Sequence, residues 1–224
     1  MSTMKVLICQ EIKNLVWTVR ERPVPGDNEA LIKIKTVGIC GTDIHAWAGN
    51  QPFFSYPRVL GHEICGEIIE SGKNIHNFNI GQQVAVIPYI SCQQCPACKS
   101  GRTNCCEKIS VIGVHQDGGF SEYLSVPVAN ILPADGIDPQ AAALIEPFAI
   151  SAHAVRRAAI APGEQVLVAD TSPARREHVA TRLELPVLDP SAEDFDAQLR
   201  AQFGGSLAQK VIDATGNQHA MNNT

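Results

Sequence analysis

Four cysteines within fifteen residues, Cys92-x2-Cys95-x2-Cys98-x7-Cys106, restrict what this chain can fold into more than any other feature. A C-x2-C step sets two sulfurs on one side of a tight turn, the spacing of metal sites. Four thiolates suit a closed tetrahedral site with metal–sulfur bonds of about 2.3 Å. The loop from Gln93 to Cys106 has no apolar pattern of its own, so a bound cation must supply its folding free energy. Adjacent side chains rarely both point inward, so Cys105 and Cys106 compete for the fourth position. The competing readings are disulfides, drawn from eight cysteines in all, or an exposed redox-sensitive thiol cluster. The opening residues are too short and too quickly polar for a signal peptide, which points to reduced thiols in a cytoplasm and to metal.

A second, independent signal lies upstream. Gly61-His62-Glu63-Ile64-Cys65-Gly66, with Gly72 beyond it, is a glycine-rich turn carrying an imidazole beside a carboxylate. Gly38-Ile39-Cys40-Gly41-Thr42-Asp43-Ile44-His45 precedes it with an isolated thiol. A lone cysteine or histidine is more often an ordinary core residue; together, in these flanks, Cys40, His62 and Glu63 read as a mixed sulfur, nitrogen and oxygen site. A site that keeps only three protein ligands leaves one position for water or substrate. The chain therefore encodes one closed and one open metal site.

Composition excludes other classes. A net charge of −5 argues against nucleic acid and anionic membrane as partners. The cysteine cluster has no basic flank, so a nucleic-acid zinc finger does not fit. No apolar run approaches the roughly 20 residues of a membrane span. With 224 residues, 45% of them hydrophobic, the chain can build a substantial core.

From Met1 to about Glu146 short apolar or alternating runs dominate: Ala30 to Val37, Glu63 to Glu70, Gln83 to Pro88 and Phe120 to Val126. Gly, Pro and Asn punctuate them, and helical period is scarce, which predicts an all-β domain over 1–148. The character changes near Pro139. Ala141 to Ile145 and Ser151 to Ala159 have helical spacing, and Ala161-Pro162-Gly163 breaks the chain. Beyond it the pattern predicts a strand over Gln165 to Asp170 and a helix over Ala174 to Leu183, capped by Ser172-Pro173. A further helix is predicted over Ala192 to Phe203 and a buried strand over Lys210 to Gly216. Strand, helix, helix, strand is a fragment of a parallel α/β layer, here 149–224.

These motifs resemble the zinc-containing medium-chain dehydrogenases, the family of alcohol, sorbitol and threonine dehydrogenases, over nearly the whole chain. The resemblance implies an α+β protein: a GroES-like β-barrel catalytic domain followed by an incomplete Rossmann-type α/β domain. It selects Cys106 over Cys105 and makes Cys92, Cys95, Cys98 and Cys106 the ligands of a structural zinc. It makes Cys40 and His62 ligands of a catalytic zinc, places Glu63 beside that metal as an exchangeable or outer carboxylate, and puts the third ligand at Glu146. Cysteine occupies that last position in ordinary alcohol dehydrogenases; glutamate marks the polyol and sugar-acid branch. Asp43 resembles the acid that hydrogen-bonds the ligand histidine and fixes its tautomer. Thr42 and His45 resemble a relay that carries the alcohol proton to solvent. The implied chemistry is oxidation of a secondary alcohol of a polyol or sugar acid to a ketone with NAD, by a homo-oligomer as in the family. His115 is a candidate pocket residue or a loop residue without a role. His76, His178 and His219 read as surface, His153 as a packed helix residue, and Cys9, Cys65 and Cys105 as bystanders.

One family element is absent. Where the strand after Ala-Pro-Gly should enter G-x-G-x-x-G and a phosphate-binding helix, Val166-Leu167-Val168 passes directly to Ala169-Asp170. Asp170 resembles the acid that binds the cofactor ribose, which favours NAD over NADP, while Arg175 and Arg176 leave room for the opposite preference. The glycine loop and its helix, about two dozen residues, read as deleted, with two strands fused into one. The chain also stops at Thr224, short of the rest of a nucleotide-binding sheet. NAD binding is therefore expected to be severely weakened.

Overall fold

In the computed structural model, residues 2–215 are described and fall into two units, Met1–Ala149 and Ile150–Thr224. Gly216 and His219 lie outside the described residues.

The first unit holds three sheets among its described residues, of three, five and two strands. Strands β1 (Thr3–Glu11) and β2 (Asn14–Glu21) form an antiparallel hairpin, and β3 (Glu29–Gly38) leads into helix α1 (Gly41–Ala48). The short β4 (Arg58–Val59) completes a sheet of order β2-β1-β4. Next come β5 (Glu63–Ser71), β6 (Gln83–Val86), β7 (Tyr89–Ile90), the one-turn helix α2 (Pro96–Lys99), β8 (Ser110–Val111), β9 (Tyr123–Pro127) and β10 (Ile131–Pro133). The larger sheet has the order β10-β6-β5-β3-β9, antiparallel throughout, and β7 pairs with β8.

Both faces of β3 and β5 are covered over part of their length, with Ala30 to Ile32 and Glu63 to Gly66 buried in unbroken runs. Ile32, Ile64 and Ile68 meet Val84, Val86, Val126 and Ile131 in the main core. Each such side chain contributes about 1.5–3 kcal/mol on full burial. The opposite face of β5 and β6 carries the small Cys65 and Ala85. Helix α3 (Pro139–Ala143) lays Ala142 and Ala143 against them. Small residues on both sides let the helix approach closely. Its start is fixed by Asp138, whose carboxylate accepts from Gln140 N–H at 2.9 Å and Ala141 N–H at 3.3 Å. Helix α4 (Ile145–Ala158) opens at the end of this unit.

The all-β expectation for this region needs correction at α1, whereas α3 falls where the change near Pro139 and the spacing over Ala141 to Ile145 predict a helix. The sequence hid α1. Cysteine is not among the preferred N-caps, yet Asp43, three residues on, accepts the Cys40 N–H at 2.8 Å and closes the helix end from within.

In the second unit β11 (Val168–Ala169) and β12 (Val187–Leu188) pair in parallel. Between them run α5 (Pro173–His178) and a π-helical turn, Val179–Leu183; α6 (Phe195–Gln202) follows. Ser172 stands at the N-cap of α5 without a side-chain cap bond. Of the strand predicted over Lys210 to Gly216, the described residues 210–215 form none, and Val211 and Ile212 are 57% and 49% exposed. A buried parallel strand needs neighbours on its edges and helices on its faces. Among the described residues β11 and β12 pair only with each other. The expected packing of His153 also fails, since it is exposed, as are His76, His115 and His178. No helix among the described residues is long and apolar enough to cross a membrane.

Candidate metal centres

The local fold around the second motif brings its donors together. Gly61 adopts a φ of +90°, a left-handed conformation that glycine alone takes without strain, and turns the chain into β5. His62 and Glu63 follow, buried at 6% and 7% exposure. Glu63 pairs across the sheet with Gly38, the last residue of β3. A methyl group on Gly38 would collide with the Glu63 carboxylate and sit 3.0 Å from its Cβ. Glycine at 38 is thus what lets the carboxylate fold over β3 toward Cys40. One ligand atom each from Cys40, His62 and Glu63 lies within 4.8 Å of the others.

Asp43, 3% exposed, binds the two sides of this cluster together. Its Oδ2 accepts from Cys40 N–H at 2.8 Å and its Oδ1 from Gly61 N–H at 3.0 Å. The expected hydrogen bond to the histidine is not made: His62 Nδ1 stands 3.7 Å from Asp43 Oδ1. That nitrogen is buried without a hydrogen-bond partner. An unpaired buried imidazole nitrogen in a cluster that also offers a thiol and a carboxylate fits a divalent cation of the zinc type.

Glu146 is not part of this three-donor group. It is half-buried at the start of α4, and its Oε1 accepts from the Tyr89 hydroxyl at 2.5 Å. Tyr89 is a residue that sequence reasoning missed; its signal was a lone aromatic three positions before Cys92. Although 42% of Tyr89 is exposed, its hydroxyl end lies against charge. Burial, the Glu146 hydrogen bond and then the nearby Cys40 and Glu63 raise its pKa well above the ordinary phenol range. Thr42 and His45 lie three residues apart on α1, Thr42 half-buried and His45 exposed.

The four-cysteine loop gathers Cys92, Cys95, Cys98 and Cys106, again within 4.8 Å. Cys105 is exposed and outside the cluster. Backbone N–H groups point at the sulfurs: Cys92 N to Cys106 Sγ at 3.3 Å, Cys95 N to Cys92 Sγ at 3.4 Å, Lys108 N to Cys106 Sγ at 3.3 Å. N–H donation from Gln94 and Cys95 holds the Cys92 pKa down to about 6. Desolvation and neighbouring thiols push Cys98 up to about 12. Four sulfurs held this close ionise together only around a cation, so the donor set fits a closed structural zinc. All eight cysteines are free thiols.

The alcohol dehydrogenase GroES-like domain model matches residues 26–136. The chain is 82% identical to L-galactonate-5-dehydrogenase of Escherichia coli K12 across its full length, which is 73% of that protein. The chain belongs to the zinc-type alcohol dehydrogenases. Among solved structures, a zinc-binding dehydrogenase from Sinorhizobium meliloti 1021 bound to NADP is 31% identical with a TM-score of 0.79, covering 87% of this chain and 64% of that one. An alcohol dehydrogenase from Escherichia coli CFT073 complexed with NADH is 31% identical with a TM-score of 0.71, covering 99% of this chain and 66% of that one. The chain thus spans just under two thirds of these two dehydrogenases. The alignment to the K12 enzyme runs over 247 positions against 224 residues, so at least 23 positions of that relative have no counterpart here.

In the second unit, β11 passes directly to Asp170. Its Oδ1 accepts from Ser172 N–H at 2.7 Å, and Arg175 lies 3.4 Å from its Oδ2. Arg176 donates to the Asp170 carbonyl at 2.8 Å and pairs with Asp189 at 2.9 Å. The Ser172 N–H is the first cause of the lowered Asp170 pKa, with Arg175 adding to it. No glycine loop separates β11 from this acid, and α5 has only six residues.

Proposed function

We propose that this chain carries the zinc-binding part of an NAD-linked dehydrogenase that oxidises a secondary alcohol of a polyol or sugar acid, such as L-galactonate, to a ketone. The observation that carries the reading is the convergence of Cys40, His62 and Glu63 on one point in a chain 82% identical to an enzyme named for that substrate. Cys40, His62 and Glu63 would hold the catalytic zinc, with Glu146 beside them, and the four-cysteine loop the structural one. A zinc ion at the open site supplies Lewis acidity that makes an alcohol proton easier to remove, as it brings bound water to a pKa of about 7. The residues of the chain do the rest. Asp43 fixes the backbone on both sides of the site. Thr42 accepts the alcohol proton and passes it along α1 to His45, which is exposed to solvent. The balanced conversion is secondary alcohol plus NAD to ketone, NADH and a proton. The free thiols suit a reducing compartment such as the cytoplasm.

A second reading, an inactive zinc-binding fragment of such an enzyme, is favoured by one observation: β11 runs into Asp170 with no phosphate cradle. A dinucleotide pyrophosphate is held mainly by backbone N–H groups at a helix N-terminus. Here the Ser172 N–H is already donated to Asp170. Zinc content and NAD calorimetry on this chain separate the readings. Two zinc ions per chain support the metal assignment, and NAD binding weaker than millimolar supports the fragment. Micromolar NAD affinity would refute the impairment, and fewer than two zinc ions the site assignment.

A further inference from the structure

We infer that Tyr89 is a positioning residue for the open site: its hydroxyl holds Glu146 outside the Cys40–His62–Glu63 cluster and so sets which of two carboxylates meets the metal. This rests on the zinc reading above.

Two acids compete for one place. Glu63 reaches it because Gly38 leaves room for its carboxylate. Glu146 approaches from α4, and the Tyr89 hydroxyl engages its Oε1 at 2.5 Å, a charge-assisted bond and among the stronger kinds. Tyr89 is itself built into position. The side-chain amide of Asn130, 8% exposed, donates to the Tyr89 carbonyl at 3.1 Å and to the Ile87 carbonyl at 2.8 Å. The Ile87 N–H returns a bond to the Asn130 carbonyl at 2.8 Å, and Ile90 packs on the main core. The phenol is therefore held from its backbone outward. A carboxylate tied to it stays an acceptor beside the cluster, able to orient a hydroxylated substrate, and does not fill the position that substrate needs.

The test uses the full chain with zinc in the four-cysteine loop and cobalt(II) at the open site. In Tyr89→Phe, Glu146 is released and enters the cluster. Open-site affinity for cobalt, measured by chelator competition, is expected to rise on the order of tenfold, the scale on which outer partners tune metal sites. The visible cobalt bands are expected to shift while the sulfur-to-cobalt band persists. Both changes should vanish in Tyr89→Phe/Glu146→Gln. Glu146→Gln alone, which keeps an oxygen for the phenol to engage, should not reproduce the rise in affinity or the shift of the cobalt bands. The inference is overturned if Tyr89→Phe changes nothing, if its effect survives in the double variant, or if Glu146→Gln alone abolishes binding. Failure of cobalt to enter the open site of the unsubstituted chain would sink the zinc reading itself.

Discussion

Replacing Asp43 with asparagine tests the open site through a residue that need not touch metal. The carboxylate takes two backbone N–H groups, from Cys40 at 2.8 Å and from Gly61 at 3.0 Å, and is 3% exposed. Asparagine keeps one oxygen acceptor and turns an NH2 toward the other N–H, so one bond to a charged acceptor is lost and two donors face each other. A bond to a charged group is worth about 1.5–3 kcal/mol and a stranded buried donor costs about 1–3 kcal/mol, terms that overlap; the sum is about 2–4 kcal/mol. Residues that orient metal ligands typically change affinity 10- to 100-fold, which at saturating zinc removes a further ~1.4–2.7 kcal/mol. Urea unfolding with chelator should show the first loss, and unfolding in excess zinc the two together. If Asp43→Asn lies within about 0.5 kcal/mol of the unsubstituted chain in both conditions, an ordinary surface effect, the clamp does not exist.

Other consequences follow from the same geometry. Gly38→Ala should displace Glu63 and weaken the open site about tenfold while zinc in the four-cysteine loop stays bound; equal affinity in a chelator titration would contradict the role given to Gly38. Cys106→Ser should lower zinc content by one ion per chain and Cys105→Ser should not, and elemental analysis showing the reverse would exchange their roles. The Asp170 carboxyl lies below its ordinary value of 3.8 in the folded chain, so its contribution to stability is complete above that pH and lost as the pH falls through the folded value. Asp170→Asn should flatten that acid limb of the unfolding profile, and an unchanged limb would show that the Ser172 and Arg175 contacts do not hold in solution.

Both donor clusters were legible in the motifs, with the choice of Cys106 over Cys105 taken from the family resemblance. Cys92 to Cys106 close a short loop, and His62-Glu63 sits in a turn whose glycine must take a positive φ. The sheet core was legible because the short apolar runs over Ala30 to Val37 and Glu63 to Glu70 became strands whose isoleucines are buried. Less readable were features set by contacts distant in sequence. Whether Glu146 enters the cluster or stands beside it depends on Tyr89, 57 residues away in the chain. The part played by Gly38 emerges only from its register against Glu63. Helix α1 escaped notice because its cap works backward, from Asp43 to the Cys40 backbone. The missing strand over Lys210 to Thr215 shows the opposite limit: an apolar run states a preference, and only neighbouring strands can satisfy it.

The short β7–β8 ladder joins the four-cysteine loop to the tyrosine that bonds Glu146. It holds two residue pairs, Tyr89 with Val111 and Ile90 with Ser110, and Cys92 follows two positions later. The strand that carries the phenol to Glu146 is thus tied at one end to the sulfur-rich loop and at the other to the sheet core. Folding of that loop and placement of the phenol therefore share one short piece of backbone.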